Sequence, residues 1–261
     1  MPEGDNLARI GDVLRQALVG RKVTAARGRP GGAQLERVVG QEVSAVQSRG
    51  KHLLVDFDGG MTLHTHLGLH GSWHRYRPGE RWRRPPARAA AVVETESAVA
   101  VCFDPLRVEL IETRALAIHP ALTQLGPDAS APDFDAGEVL RRLAAPAMAD
   151  LPIGDALLDQ RVMAGVGNVI RSEVCFIERV DPFRPVADVD ATTRRRLIDR
   201  SVAILRANRG GGARVTTMPG TDGRLYVYGR TGRPCRRCGT LIWSRASASA
   251  RRVFWCPNCQ K

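Results

Sequence analysis

Two Cys-x-x-Cys pairs close to the C-terminus, Cys235/Cys238 and Cys256/Cys259, constrain this chain more than any other feature. Each pair forms a knuckle that can present two thiolates, and the seventeen residues between the pairs suit one structural, tetrahedral zinc ion. A rubredoxin-like iron site shares the spacing, and disulfides are the other alternative. Disulfides fit poorly with a chain that reads as intracellular and whose remaining cysteines, Cys102 and Cys175, are isolated. Between the knuckles lie Leu241-Ile242-Trp243, a run of small residues, and Arg251-Arg252-Val253-Phe254-Trp255. That pattern predicts a β-hairpin with arginines at its tip, stabilised largely by the bound metal.

Charge says what such a hairpin can touch. The 261-residue chain has a formal net charge of +12, and the stretch from Leu205 to Lys261 holds twelve Arg or Lys against one acid, Asp222. A basic end on a nearly neutral body points to a polyanion, and nucleic acid fits best. An anionic membrane surface is disfavoured because the segment lacks an amphipathic helix with a bulky apolar face. No apolar run approaches the roughly 18 residues that span a bilayer, and Glu3 and Asp5 stand where a signal peptide would be basic. The expectation is a soluble, cytoplasmic, monomeric protein. Lysine occurs only at Lys22, Lys51 and Lys261, so an internal lysine raises the question of whether its site needs an ammonium rather than a guanidinium.

Hydrophobic periodicity predicts a first helix over residues 3 to 18, then a strand-rich region to about Ile118. Leu53–Phe57, Ala90–Val93, Ala98–Phe103 and Val108–Ile111 read as strands, with Asp58-Gly59-Gly60 as a hairpin turn. Residues 75 to 88 read as an exposed loop and 126 to 136 as a linker. Helical patterns follow at 136–143, 155–163, 168–177 and 190–208, the last ended by Gly210-Gly211-Gly212 and a flexible loop. The fold expected is multidomain α+β: an N-terminal β-sandwich (1–125), a helical domain (126–224) and the four-cysteine hairpin (225–261).

Several candidate groups lie outside the cysteines. Pro2, if exposed by removal of Met1, offers a secondary amine beside the Glu3 carboxyl, the amine version of covalent catalysis. The plain alternative is a proline tolerated in the first helical turn. Gly165-Val166-Gly167-Asn168 opens a helix whose unpaired N–H groups attract anions, with Asn168 as a cap or a direct phosphate ligand. Arg49 and Lys51 flank Gly50 at a strand entry. His64 and His66 alternate onto one face, but no clear carboxylate or cysteine completes a metal site. The segment is therefore read as a loop carrying Leu69 and His70 toward a ligand.

Taken together, Pro2-Glu3, Arg49-Gly50-Lys51, His66-Leu67-Gly68-Leu69, Leu158-Asp159-Gln160 through Asn168, Val227-Tyr228-Gly229-Arg230 and the cysteine hairpin resemble the formamidopyrimidine-DNA glycosylase and endonuclease VIII family over nearly the whole chain. Gly4 resembles the endonuclease VIII side, and the likeness is strongest to actinobacterial members. The resemblance implies a helix–two-turn–helix middle domain, a zinc finger, and damaged double-stranded or abasic-site DNA as partner. It further implies a bifunctional glycosylase/AP lyase of base excision repair that flips the damaged nucleotide out of the duplex. Pro2 would attack C1′ and Glu3 would act as general acid, and β- then δ-elimination would cleave the strand. Lys51, Asn168 and Arg251 would grip phosphates, Lys51 and Arg251 also assisting elimination, while His66 and Leu69 would contact DNA. Oxidised pyrimidines are the expected substrates, oxidised purines the alternative within the family, and a non-catalytic zinc-ribbon DNA-binding protein the alternative outside it. Two departures stand out: Gly68-Leu69-His70 replaces the Gln-Leu-Tyr triad frequent in endonuclease VIII relatives, and Asp5 replaces a glutamate often found near that point.

Overall fold

The computed structural model describes residues 2–247 and 249–261; Met1, whose removal the Pro2 reading requires, and Ala248 lie outside them. The chain divides into two compact units, Met1–Gln124 and Leu125–Lys261.

The first unit opens with α1 (Gly4–Leu18), which buries Leu7, Leu14, Ala17 and Leu18 on one stripe. Glu3 is its N-cap, so Pro2 lies outside the first turn and the first-turn reading of this proline does not hold. Eight strands follow: β1 (Val23–Gly28), β2 (Val43–Arg49), β3 (His52–Phe57), β4 (Met61–His66), β5 (Ser72–Tyr76), β6 (Ala89–Thr95), β7 (Val99–Phe103) and β8 (Arg107–Glu112). They form two antiparallel four-stranded sheets, ordered β1-β6-β7-β5 and β2-β3-β4-β8. One core is fed from both sheets and from α1: Leu53, Val55 and Leu63 meet Ala91, Val93 and Ala100 in a single apolar cluster. This is the expected sandwich, with alternate residues of each strand turned inward. Trp73 enters the same core, and its indole N–H donates to Thr65 Oγ1 at 3.1 Å, so the ring is buried without a stranded donor.

The other face of β2-β3-β4-β8 is polar yet covered. Every residue of β4 from Met61 to Thr65 is buried, including His64 at 0% exposure. The segment 75–88 is largely exposed, as read from sequence, although Arg75 and Tyr76 belong to the end of β5, and it is tied down at three points: Trp82 stacks on Tyr76, and Arg84 and Arg88 both pair with Asp104. A short helix, α2 (Pro120–Thr123), closes the unit.

The second unit holds α3 (Ala136–Leu143), α4 (Ile153–Leu158), α5 (Asn168–Ile177) and α6 (Ala191–Ala207), then the hairpin β9 (Trp243–Ala246) and β10 (Arg252–Trp255). Asp135 and Asp190 cap α3 and α6 by accepting from Glu138 and Thr193 N–H. Two differences from the sequence reading have physical causes. Residues 126–136 are no free linker: Asp128 bridges Ala164, and Ala129 is fully buried in the helical core. The helix expected over 155–163 stops at Leu158, and residues 159–167 form a double turn whose apolar Val162, Met163 and Val166 still point inward. Gln160 stitches that turn, donating to Leu158 and Val166 carbonyls while accepting from Gly165 N–H.

Glu173, on α5 and 0% exposed, ties the hairpin region to the helices. Its carboxylate accepts the backbone N–H groups of Tyr226, Val227 and Tyr228, each at 2.8 Å, and the Thr216 hydroxyl. Replacing Glu173 with Gln turns one acceptor into a donor facing backbone N–H groups. The expected cost is roughly 2–3 kcal/mol, read as a lower urea midpoint for the full chain with an unchanged denaturant slope.

Candidate functional site

Pro2 and Glu3 sit at the N-terminal end of α1. Pro2 is partly exposed and borders a cavity of about 580 Å³ that Arg9, Trp73 and Arg75 also line, whereas Glu3 is 0% exposed. Asn6 fixes the chain entry by accepting the Glu3 N–H at 3.4 Å.

Lys51 lies in the two-residue turn between β2 and β3, where Arg49 pairs with His52. Gly50 takes φ +58° there, a left-handed conformation that suits glycine. Leu69 projects from the turn after β4 with 61% of its surface exposed. That turn is built on His66, whose Nδ1 accepts the Gly68 N–H at 3.2 Å and whose carbonyl accepts from Leu106 at 2.9 Å. Gly68 has φ +64°, and a Cβ there would lie 2.9 Å from Leu106 Cβ.

Behind the turn is an array of histidines that spacing alone did not reveal. His52 Nδ1 lies 2.8 Å from His64 Nε2, His64 Nδ1 lies 2.8 Å from Glu109 Oε2, and His119 Nε2 lies 3.1 Å from the same oxygen. The missing carboxylate comes from β8, whose register places Glu109 directly opposite His64. His66 points to a different neighbour, packing edge-on against His52 with centroids 4.9 Å apart. Burial, then the neighbouring His66, His64 and His119, bring the His52 pKa down to about 3. Burial also lowers His64, against the pull of Glu109. Burial pushes the Glu109 carboxyl up, but hydrogen bonds from His64 and His119 outweigh it and hold the group below the ordinary carboxylate value. An ionised Glu109 accepts only, so His64 carries its proton on Nδ1 and accepts at Nε2 from His52.

In the second unit, Gly167 is the N-cap of α5 and Asn168 the first helical residue, 7% exposed. The Asn168 amide donates to the Arg252 carbonyl at 2.9 Å and accepts from Arg171, so its side chain joins α5 to β10. Arg171 and Asp155 went unnoticed in the sequence because a buried Arg on a helix has no signature of its own. Arg171 is 0% exposed, pairs with Asp155 at 2.7 Å, and the pair holds Ser247 and Ser249 at the hairpin turn. Arg251 is exposed just beyond that turn, outside β10. The hairpin strands are shorter than expected, beginning at Trp243 rather than Leu241, which bridges Pro234 instead.

The four cysteines Cys235, Cys238, Cys256 and Cys259 bring their sulfurs within 4.8 Å of one another. Two pairs are 3.9 and 3.5 Å apart, close to the edge of about 3.8 Å of a tetrahedron with metal–sulfur bonds of about 2.3 Å. Hydrogen bonds from Thr240 and Asn258 bring the Cys238 thiol down to about 5, while burial raises Cys256 and Cys259. A divalent cation would allow all four to ionise together. Gln260 anchors the second knuckle, accepting from Cys256 N–H and donating to the Val180 carbonyl.

Comparison with known proteins bears on this arrangement. Residues 1–111 match the formamidopyrimidine-DNA glycosylase N-terminal domain, and residues 125–218 match the formamidopyrimidine-DNA glycosylase H2TH domain. Endonuclease 8 2 of Mycobacterium bovis is 40% identical, with 100% of both chains covered. A DNA-(apurinic or apyrimidinic site) lyase of Mycolicibacterium smegmatis is 39% identical over 100% of this chain and 99% of its own length. The chain belongs to the formamidopyrimidine-DNA glycosylase and endonuclease 8 family of DNA glycosylase/AP lyases. The fold agrees: the Lactococcus lactis Fpg solved with an N7-benzyl-Fapy-dG containing DNA superposes with a TM-score of 0.84, covering 100% of both chains at 24% identity. The Fpg of the same organism solved with abasic-site DNA gives 0.83 at 22% identity, with 99% of each chain covered. Within this family fold, Pro2, Glu3, Lys51, His66 and Leu69 belong to the first unit, and Asn168, Arg251 and the four cysteines to the second.

The Arg171–Asp155 pair yields a test of what holds the hairpin turn. Arg171→Met strands a buried carboxylate and is expected to cost about 3–5 kcal/mol, whereas adding Asp155→Leu should recover much of that loss. Urea denaturation of the two variants reads the difference.

Proposed function

We propose that this enzyme excises oxidised pyrimidines from double-stranded DNA and cuts the strand at the resulting abasic site, using the Pro2 amine as nucleophile. The observation that carries this reading is the position of Pro2: partly exposed, just outside the N-cap of α1, and directly followed by the buried Glu3. Removal of Met1 would free a secondary amine there. Its lone pair attacks C1′, the glycosidic bond breaks with its electron pair going to the base, and the proton lost from the Pro2 nitrogen neutralises the departing base. The sugar ring opens as C1′–O4′ cleaves, O4′ takes a proton from Glu3, and a charged iminium joins Pro2 to the sugar. The iminium acidifies C2′; loss of that proton expels the 3′ phosphate, and a second elimination expels the 5′ phosphate. Lys51, Asn168 and Arg251 bind the phosphates, with Lys51 and Arg251 offsetting charge as they leave.

Leu69 serves as the wedge that fills the vacated stack, set on the turn that His66 braces. Helices of residues 126–224 and the finger of residues 225–261 hold the duplex, the finger's arginines supplying the electrostatic share of affinity. The pyrimidine preference rests on relatives named endonuclease 8. Zinc is the ion proposed for the four cysteines, since its preference for tetrahedral thiolate sets matches their spacing. Its contribution is to hold the hairpin fold rather than to take part in bond breaking.

Borohydride reduction on abasic-site DNA should yield a covalent protein–DNA adduct, and Pro2→Gly should lower its yield by at least tenfold; an undiminished adduct would assign the nucleophile elsewhere. Duplexes containing dihydrouracil or thymine glycol should be cleaved faster than one containing 8-oxoguanine, and the reverse order would move the enzyme to the purine side of the family. Chelation of zinc should make four additional thiols reactive and abolish strand cleavage together.

A further inference from the structure

We propose that His64, Glu109 and His119 form a metal site in the β-sandwich, separate from the cysteine cluster and selective for a zinc-class divalent ion. Each of the three residues offers one donor atom, and these lie within 4.8 Å of one another; His64 Nδ1 and His119 Nε2 are the nitrogens that face Glu109 Oε2. Two of the three separations are 2.8 and 3.1 Å. A tetrahedral ion bonded at about 2.0–2.2 Å places neighbouring donors about 3.3 Å apart, so a displacement of a few tenths of an ångström opens the space for it. The His64 and His119 rings are 4.9 Å apart at 76°, and one nitrogen of each faces Glu109 Oε2. Two imidazoles and one carboxylate are a ligand set that zinc uses when one coordination position stays open. Glu109, with 31% of its side chain exposed, provides the solvent edge at which water takes that position.

The surroundings orient one of the two imidazoles and the carboxylate. Metal-bound histidines are oriented by a hydrogen bond at their other ring nitrogen. His64 Nε2 has such a partner in His52 Nδ1 at 2.8 Å. Arg107 holds the other Glu109 oxygen, Oε1, at 3.1 Å, which leaves Oε2 turned toward the two imidazoles. Its side chain is 53% exposed, so solvent screens its repulsion of a cation. His119 has no such partner, its Nδ1 being buried without a hydrogen bond among the described residues, and its ring packs edge-on against His64. Occupancy needs no net proton release: His64 gives up its Nδ1 proton and takes one at Nε2 from His52 Nδ1, which gains one at its own Nε2. His119 shifts its proton from Nε2 to Nδ1.

The test is a metal count on the untagged full chain. After equilibration with buffered zinc, the protein is expected to hold two ions per chain, and Glu109→Gln and His119→Asn one each. Cobalt separates the two sites, because thiolate ligands give intense near-ultraviolet charge-transfer absorption and imidazole and carboxylate ligands do not. The first cobalt equivalent should bring that absorption to its full height, and the second should add only weak visible bands. A wild-type chain that saturates at one ion overturns the proposal whatever the variants do. A second ion that survives both substitutions overturns it too, by placing that ion elsewhere.

Discussion

A single carboxylate organises the second unit. Glu173 is fully buried on α5 and receives three consecutive backbone N–H groups from Tyr226, Val227 and Tyr228, with the Thr216 hydroxyl beside them. Those donors lie in a stretch without helix or strand, where no ladder would satisfy them, and a buried N–H without a partner is costly. The chain leading into the first knuckle is therefore held by α5 itself. From the other side, Asn168 bonds the Arg252 carbonyl, and Arg171 with Asp155 holds Ser247 and Ser249. One ten-residue helix thus anchors the entry, the turn and the second strand of the hairpin.

The same helix explains why a basic hairpin can present its charge in a defined way. Arg245 stacks on Phe183 and Arg237 on Phe176, which fixes both guanidinium groups while their side chains stay exposed, as Arg233 and Arg252 also are. Arg251 is left exposed at the turn. Charge density alone implies attraction to any polyanion; the ring contacts fix where two of the exposed guanidinium groups lie.

Much of this was legible in the sequence because the signals were local. The sandwich strands, the turn at Asp58-Gly59-Gly60, and the helices 136–143 and 168–177 followed from periodicity and turn chemistry. The four cysteines announced their cluster by spacing. Cross-strand register was not legible, since pairing is fixed by tertiary packing. His64 therefore lacked a visible acid, although Glu109 stands opposite it forty-five residues later. Buried polar groups were equally silent: Arg171 and Glu173 look like ordinary surface charges of a helix until their partners are seen. Residues 159–163 of the double turn were misread as helix because their inward apolar residues mimic a helical stripe, while the Gln160 amide that closes the turn carries no periodic mark.

The turn that carries Leu69 has a consequence for how this sequence can change over time. Gly68 is fixed twice, by its left-handed backbone and by Leu106, whose Cβ would lie 2.9 Å from any Cβ at position 68. A single step from glycine to the glutamine of the Gln-Leu-Tyr type meets both obstacles at once. The second obstacle is a Cβ that every residue except glycine carries, so shortening Leu106 does not remove it. A side chain at position 68 therefore requires the backbone of the 104–106 connection to move away, and the turn that carries Leu69 is fixed by the chain path of a second connection as much as by its own residues.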